Sequence, residues 1–483
     1  MTDTALLWFR SDLRLHDNEA LVRAAGADEL LPVYIFDPHW FGRAEFGGSR
    51  SFRYEKTGGH RTRFLRESVA DLRSSLRARG SDLVVRRGDS AEELAELADE
   101  HGVEAAYFHT YPTSEEEAIE AGVVDALRER DVETTALWGH TLHHPDDLPR
   151  PVADIDDTFT PFKDRVEAKS TVRGPREIPS IPTLLGKIDP GSPAVGDIPG
   201  FDDLGVDPPE RDDRGVLDFE GGETRGLERV EEYVWERDRL RSYRETRNGL
   251  LGADYSSKLS AWLNAGCLSP RRVHAGVQEY ERERVANDST YWLLFELRWR
   301  DFYAFQFAKH GDRFFAPGGI RERSIDWNYD EAAFRRWAEG ETGIPFVDAN
   351  MRELNATGYM SNRGRQNAAS FLANDLRIDW RIGAAYFETQ LVDYDVASNY
   401  GNWAYVAGVG NDSRDRAFDV VSQGRRYDAD AEYVAHWLPV LDGLPPEYAR
   451  EPWRLSDGEM ASHGVERGVD YPEPMVEPSA LEH

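Results

Sequence analysis

The sequence predicts an α/β N-terminal domain built on a parallel, Rossmann-like sheet, followed by a large all-α domain. Two observations carry this. Over residues 1–140, short apolar runs alternate with amphipathic stretches, and strand–helix alternation builds parallel sheets with right-handed crossovers. After residue 226 the patterns are almost all helical, with aromatic-rich faces. A Pro-, Gly- and Asp-rich segment separates the two, so we divide the chain into 1–140, a connector at 141–225, a helical domain at 226–455 and an acidic tail at 456–483.

Five runs read as strands: ALLWF at 5–9, LLPVYIF at 30–36, DLVVR at 82–86, VEAAYFH at 103–109 and TTALW at 134–138. Between 60 and 79, Leu65, Val69, Leu72 and Leu76 recur at three- and four-residue steps, with Gly80 as the stop. Ser90 with Glu93, and Ser114 with Glu117, read as capping boxes that start the next two helices. No G-x-G-x-x-G follows the first strand, so the dinucleotide fingerprint is missing.

Composition bounds the function. The 483 residues are 40% hydrophobic and include 13 Trp, 20 Tyr and 22 Phe. No apolar run is long enough to span a bilayer. MTDTALLWFR lacks the layout of a signal peptide, because Asp3 and Arg10 break the run. A single cysteine, Cys267 in WLNAGCLSP, excludes an intramolecular disulfide and fits a reducing cytoplasm and a buried thiol. The reading is of a cytoplasmic monomer with no metal site. Asp and Glu total 89 against 58 Lys and Arg, a net charge of −31. Phosphate affinity comes from Lys and Arg, so this balance at first argues against nucleic acid. However, the acid excess is spread out, as in proteins adapted to high internal salt. The Debye length falls to roughly 3 Å at 1 M, so local Arg clusters decide binding there.

Residues 344–410 concentrate unusual chemistry. Ser361-Asn362-Arg363-Gly364-Arg365-Gln366 precedes an apolar run. Trp380 and Trp403 sit in apolar surroundings, and Asp393 and Asp395 are followed by Asn399. Buried polar groups need partners. Either these residues satisfy one another or they line a site for a large polar-aromatic ligand. Upstream, Tyr243 and Ser256-Ser257-Lys258-Leu259-Ser260 mark a hydroxyl-rich helix start, which suits either a cap or a diphosphate. Glu296 and Arg300 are four apart, so a plain i,i+4 ion pair is the simplest reading.

The wording NMRELNATGYMSNRGRQNAASFL, followed by DYDVASNYGNWAYVAGVGND, resembles the flavin-binding core of the cryptochrome/photolyase family, and its DASH branch in particular. Weaker similarity runs from LLWFRSDLRLHDNEAL to YVAHWLPVL; residues 170–225 show none. The resemblance implies FAD in the helical domain. It places Tyr243, Ser256, Ser257, Lys258, Leu259, Ser260 and Arg300 around the phosphates. Asn362, Arg365, Asp393, Asp395 and Asn399 fall around the ring, with Arg365 and Asp393 as an ion pair. Asn399 would lie beside the flavin N5, favouring a protonated or radical form. Trp403, Trp380 and Trp327 would form an electron-transfer chain from the flavin to the surface, although a buried Trp is most often core.

The resemblance also implies a DNA-facing set. Glu296 faces the bases and Trp299 stacks on them, while Arg247 and Arg363 meet DNA, although a lone Arg is commonly a solvated surface charge. Gln366 and Tyr405 stand where repair photolyases carry Met and Trp, as is typical of the DASH branch. In the family this domain carries an antenna at the C-terminal ends of the strands; here methenyltetrahydrofolate, 8-hydroxy-5-deazaflavin and no antenna all stay open. The family's folate-holding glutamate has no clean match in HTYPTSEEE: Tyr111 falls near its place, with Glu115 and Glu116 following. The implied activity is blue-light repair of cyclobutane pyrimidine dimers, mainly in single-stranded or looped DNA. The alternative is a photoreceptor that binds DNA or a partner without repair. A flavin-free helical interaction protein is the third reading.

Overall fold

The computed structural model describes residues 3–45, 53–182, 193–412 and 417–481. Seven strands are present among them: β1 Thr4–Phe9, β2 Glu29–Phe36, β3 Arg43–Glu45, β4 Arg53–Glu55, β5 Val84–Arg87, β6 Ala105–His109 and β7 Glu133–Leu137. Five form one parallel sheet in the order β5-β2-β1-β6-β7. These are the five expected strands. The antiparallel pair β3 and β4 was not anticipated.

Strand β1 is buried along its whole length, because helices cover both faces of the sheet. Leu7 and Phe9 face Val69, Leu72 and Leu76 of helix α1, Gly59–Arg77. Leu6 and Trp8 face the other way, onto Leu94 and Leu97 of α2, Ser90–His101, and Val123 and Leu127 of α3, Ser114–Arg128. The two expected capping boxes do not form. Asp89 caps α2, accepting from the Ala91 and Glu92 amides, and the Ser90 hydroxyl donates to Asp37 at 2.6 Å instead. Thr113 precedes α3, and its hydroxyl goes to the Glu116 carboxylate while that of Ser114 goes to Asp312. In both cases the serine is the first helical residue and the residue before it stands at the cap, so the serine hydroxyl is free to donate to a nearby carboxylate.

Within the connector, helix α4, Phe159–Lys169, buries Phe159, Phe162 and Val166 in the helical core. Residues 183–192 of the expected connector lie outside the described residues. The part after them is tied to α1: Arg73 donates to the Val195 and Gly196 carbonyls at 3.2 and 2.8 Å, and Arg66 to that of Pro199 at 2.7 Å.

The helical domain is centred on α5, Asp288–His310, whose sequence is apolar on most sides because neighbours surround it. Next come α6, Pro345–Thr357, which packs against α7, Asn362–Ser370, and then α8, Trp380–Gln390, and α9, Val396–Val406; α7, α8 and α9 build the site with α5. The stretch expected as an acidic tail packs back. Met460, Val465, Tyr471 and Leu481 are buried, and the Tyr471 hydroxyl donates to Asp348 at 2.7 Å. Buried polar pairs tie the α/β domain to the rest of the chain, notably the Arg271–Asp17 ion pair at 2.8 Å and the contact of His16 with Glu223 at 2.5 Å. Cys267 is fully buried, as expected.

Candidate functional site

Glu296, Trp299, Arg300 and Tyr303 fall at i, i+3, i+4 and i+7 on α5, so one face of that helix presents all four. Opposite stands the start of α7. Ser361 caps it by accepting from the Gly364 amide at 3.0 Å, and the first two turns present Asn362, Arg365 and Gln366. Asp395 caps α9 through the Ser398 amide at 2.7 Å, and one turn on come Asn399 and Asn402. Lys258 holds a left-handed φ of 54°, which turns the SSKLS segment into helix Ser260–Asn264.

These elements enclose a cavity of about 430 Å³. Its lining contains every residue expected to hold a cofactor, from Tyr243 and the SSKLS segment through Arg300, Asn362, Arg365, Asp393, Asp395 and Asn399. Arg247, Glu296, Trp299, Gln366, Tyr405 and Trp403 also line it. Arg363 does not. It lies against the Tyr427 ring and donates to Gln366, Gln423 and Asn248. Trp380 is fully buried and Trp327 half-buried, both away from the cavity. Sequence reading missed Tyr303, Asn264, Phe387, Ser398 and Asn402 in the lining. Tyr303 was within reach, four residues beyond Trp299 on the same helix face.

Arg365 and Asp393 form the expected ion pair, with Nη2 at 2.9 and 2.8 Å from the two carboxylate oxygens. Burial works against the guanidinium charge, but Asp393 outweighs it and holds the Arg365 pKa above its ordinary value. The expected i,i+4 pair of Glu296 with Arg300 does not form. Arg300 turns to the carbonyls of His140 and Leu263 and to Asn264, and Glu296 instead pairs with Arg247 at 2.7 Å. The Asn399 side-chain amide donates to the Ala384 carbonyl at 2.9 Å, which fixes the side chain in the cavity wall.

The cavity fits a flavin dinucleotide. Its volume is in the usual range of about 300–1,000 Å³ for ligand sites. Two buried donors in its wall, Lys258 Nζ and Trp403 Nε1, have no hydrogen-bond partner among the described residues. Lys258 Nζ lies 3.0 Å from the Tyr255 ring centroid, and burial drives its pKa well below the ordinary lysine value. A phosphate-bearing ligand would supply the acceptor that Lys258 Nζ lacks and would offset the effect of burial on its charge.

A second cavity, of about 190 Å³, opens where the parallel strands end. Arg10, Asp37, Arg61 and Tyr111 line it from the α/β domain, and Glu388 and Tyr394 from the helical domain. Asn264, Arg300, Tyr394 and Asp395 line both cavities. Glu115, at its rim, bonds Lys56 at 2.5 Å. Burial opposes the Glu115 charge, but His39 and Lys56 hold the carboxyl at about 2.

Residues 5–183 match the DNA photolyase family, and residues 292–482 match the FAD binding domain of DNA photolyase. The chain belongs to the cryptochrome/photolyase family. Within it the relatives point to one branch. A Cryptochrome DASH of Natronomonas pharaonis is 60% identical over 98% of both chains. The solved Synechocystis cryptochrome superposes with a TM-score of 0.93 at 44% identity, over 99% of this chain and 97% of that one. A class III photolyase from Agrobacterium tumefaciens gives a TM-score of 0.84 at 30% identity, over 100% and 96%. The protein is therefore a cryptochrome of the DASH type with an FAD-binding domain.

Proposed function

We propose that this protein is a light-driven photolyase acting on cyclobutane pyrimidine dimers in single-stranded or looped DNA. One observation carries the reading: a single cavity is lined both by the cofactor set and by Glu296, Trp299, Gln366 and Tyr405. Ligands held by the two sets therefore share one cavity, close enough to meet. FAD, when bound, supplies the absorption of light and the one-electron exchange.

The chain supplies position and exclusion of water. Ser256, Ser257, Ser260, Lys258 and Arg300 would hold the diphosphate, and Arg365, Asp393 and Asn399 the ring. Because the Asn399 amide N–H is engaged by Ala384, its Oδ1 is the atom left to accept from a ring N–H. Trp299 stacks on Phe159 at 3.7 Å between ring centroids, which keeps the indole upright for a flipped base. To an antenna pigment we assign the second cavity, whose Tyr111 and Arg10 supply aromatic and cationic walls; at about 190 Å³ it would take only part of such a pigment.

The test is an absorption spectrum of the purified protein together with dimer loss from an irradiated oligonucleotide. Flavin bands and blue-light-dependent repair are expected. Flavin without repair of any form would favour the photoreceptor. A protein that takes up no FAD on reconstitution would remove both readings.

A further inference from the structure

We infer that Arg247 is a positioning residue that governs the protonation of Glu296: when Arg247 leaves Glu296 for a nucleic-acid phosphate, Glu296 takes up one proton from solvent and becomes a hydrogen-bond donor to a base carbonyl. The inference rests on the DNA reading above and concerns how the same site selects its ligand.

The geometry carries it. Arg247 Nη1 lies 2.7 Å from Glu296 Oε1, across the wall of the larger cavity. Arg247 follows the short helix Tyr243–Thr246, and Glu296 sits on α5, so the pair bridges two elements that a bound strand would touch. The side chains are 18% and 29% exposed, which keeps the guanidinium within reach of an outside anion. A guanidinium pairs with a phosphate as readily as with a carboxylate, through the same fork of donors.

No other cation takes Arg247's place. On its own helix, Arg300 is engaged by Leu263, His140 and Asn264, and Trp292 is uncharged. Facing it, the Tyr243 and Tyr303 phenols are driven by burial far above their ordinary range and stay neutral. Arg363, from α7, is held by Gln366, Gln423, Asn248 and the Tyr427 ring. Burial raises the Glu296 pKa and Arg247 opposes that rise. Once the guanidinium moves away, only a hydrogen bond from Trp292 still opposes burial, the nearby phosphate adds negative charge, and both shifts drive the carboxylate to take up a proton.

The chemical consequence is selective. An ionised carboxylate only accepts hydrogen bonds, whereas the protonated acid offers one O–H. Thymine presents a carbonyl at O4 where cytosine presents an amino group. The switch therefore favours thymine, and it operates only after a phosphate has drawn Arg247 away.

Calorimetry of the flavin-loaded protein with a thymine-dimer single-stranded oligonucleotide tests this, at fixed salt, in two buffers that differ in ionisation enthalpy. The wild type should take up close to one proton, with affinity falling up to about tenfold per pH unit between neutral and alkaline pH. Arg247→Lys should retain the uptake. Glu296→Gln should lose it, and so should Arg247→Ala, because its Glu296 is already protonated. A flavin absorption band equal to wild type shows that each variant is folded. Binding with no proton uptake, or uptake that persists in Glu296→Gln or Arg247→Ala, would overturn the inference and leave the DNA reading standing. Failure of the wild type to bind the oligonucleotide overturns the DNA reading and the inference together.

Discussion

The indole N–H groups of Trp327 and Trp380 donate to one and the same acceptor, the carbonyl oxygen of Pro317, at 3.1 and 3.2 Å. A shared acceptor locks the two rings against a common backbone point although 53 residues separate them in sequence. Trp380 opens α8, and one turn later Gly383 lies against the Trp403 ring in the cavity wall. The three indoles thus belong to one rigid unit running from the cavity to the half-exposed Trp327.

The first prediction follows from that unit. Trp403→Phe should leave FAD bound and block its photoreduction in the presence of a thiol reductant, read as persistence of the oxidised absorption band under blue light. Repair by chemically pre-reduced enzyme should continue. Normal photoreduction in the variant would mean that Trp403 is not the proximal donor.

A second prediction concerns Gly383. A Cβ there would lie 2.2 Å from Trp403 Cη2 and 2.5 Å from Leu372 Cδ2. Overpacking of this kind costs about 1–3 kcal/mol. Gly383→Ala should lower stability by that order in a denaturant titration and slow photoreduction by displacing the ring. A variant with wild-type stability and kinetics would show that the ring has room to move.

These two cases show what was legible. Strands β1 and β2 stood out because burial on both faces makes continuous apolar runs. The pair β3 and β4 did not, since three-residue strands of RAE and RYE carry no apolar period. Spacing along a helix proposed Glu296 with Arg300, but it cannot see Arg247, which comes from another element 49 residues away. Nor could it show that Asp395 is a helix cap, because a cavity-lining carboxylate and a capping one look alike in sequence. The cofactor set came through family wording, and the cavity that unites it comes only from the fold.

Glu353 gives a prediction about pH. It is buried on α6, where the Tyr433 hydroxyl donates to Oε2 at 2.7 Å and Oε1 has no partner among the described residues. Burial pushes its carboxyl up to about 8. The native state therefore binds more protons than the unfolded state between the ordinary carboxylate range and about 8, so stability falls as pH rises through that window. Glu353→Gln should flatten this decline, by on the order of 1–3 kcal/mol at the alkaline end. Chemical denaturation at several pH values checks it; an unchanged slope in the variant would place the titration elsewhere, with Glu388, held at about 7 by burial, as the next residue to replace.

Removing one partner of the Arg365–Asp393 pair should be worse than removing both. Arg365→Ala leaves Asp393 buried and uncompensated, a change that costs about 3–5 kcal/mol in comparable pairs. Flavin content per chain after reconstitution should fall sharply in that variant and recover in part when Asp393→Asn is added. Full flavin loading of the single variant would rule out a holding role for the pair.

The last prediction concerns the form of the substrate, and it rests on Gln366 and Tyr405, both in the cavity wall. A dimer in duplex DNA must be unpaired and unstacked before it enters, at a cost of a few kcal/mol. Contact with the flipped bases has to offset that cost. Gln366 is partly drawn into the hydrogen bond from Arg363 at 3.0 Å and offers little apolar surface. Tyr405 meets Trp299 edge-on at 6.4 Å, and its ring is smaller than an indole. A shortfall of about 1.4 kcal/mol in such contacts is tenfold in occupancy. Single-stranded or looped DNA presents the dimer with most of the flipping cost already absent. Such dimers should therefore be repaired at least tenfold faster than the same dimer in a duplex at limiting enzyme. The comparison needs matched salt, because the phosphate contact proposed for Arg247 would weaken as salt rises. Replacing Gln366 by Met and Tyr405 by Trp should narrow the gap by improving the duplex rate. Equal rates for the two forms in the wild type would show that these two positions do not limit flipping.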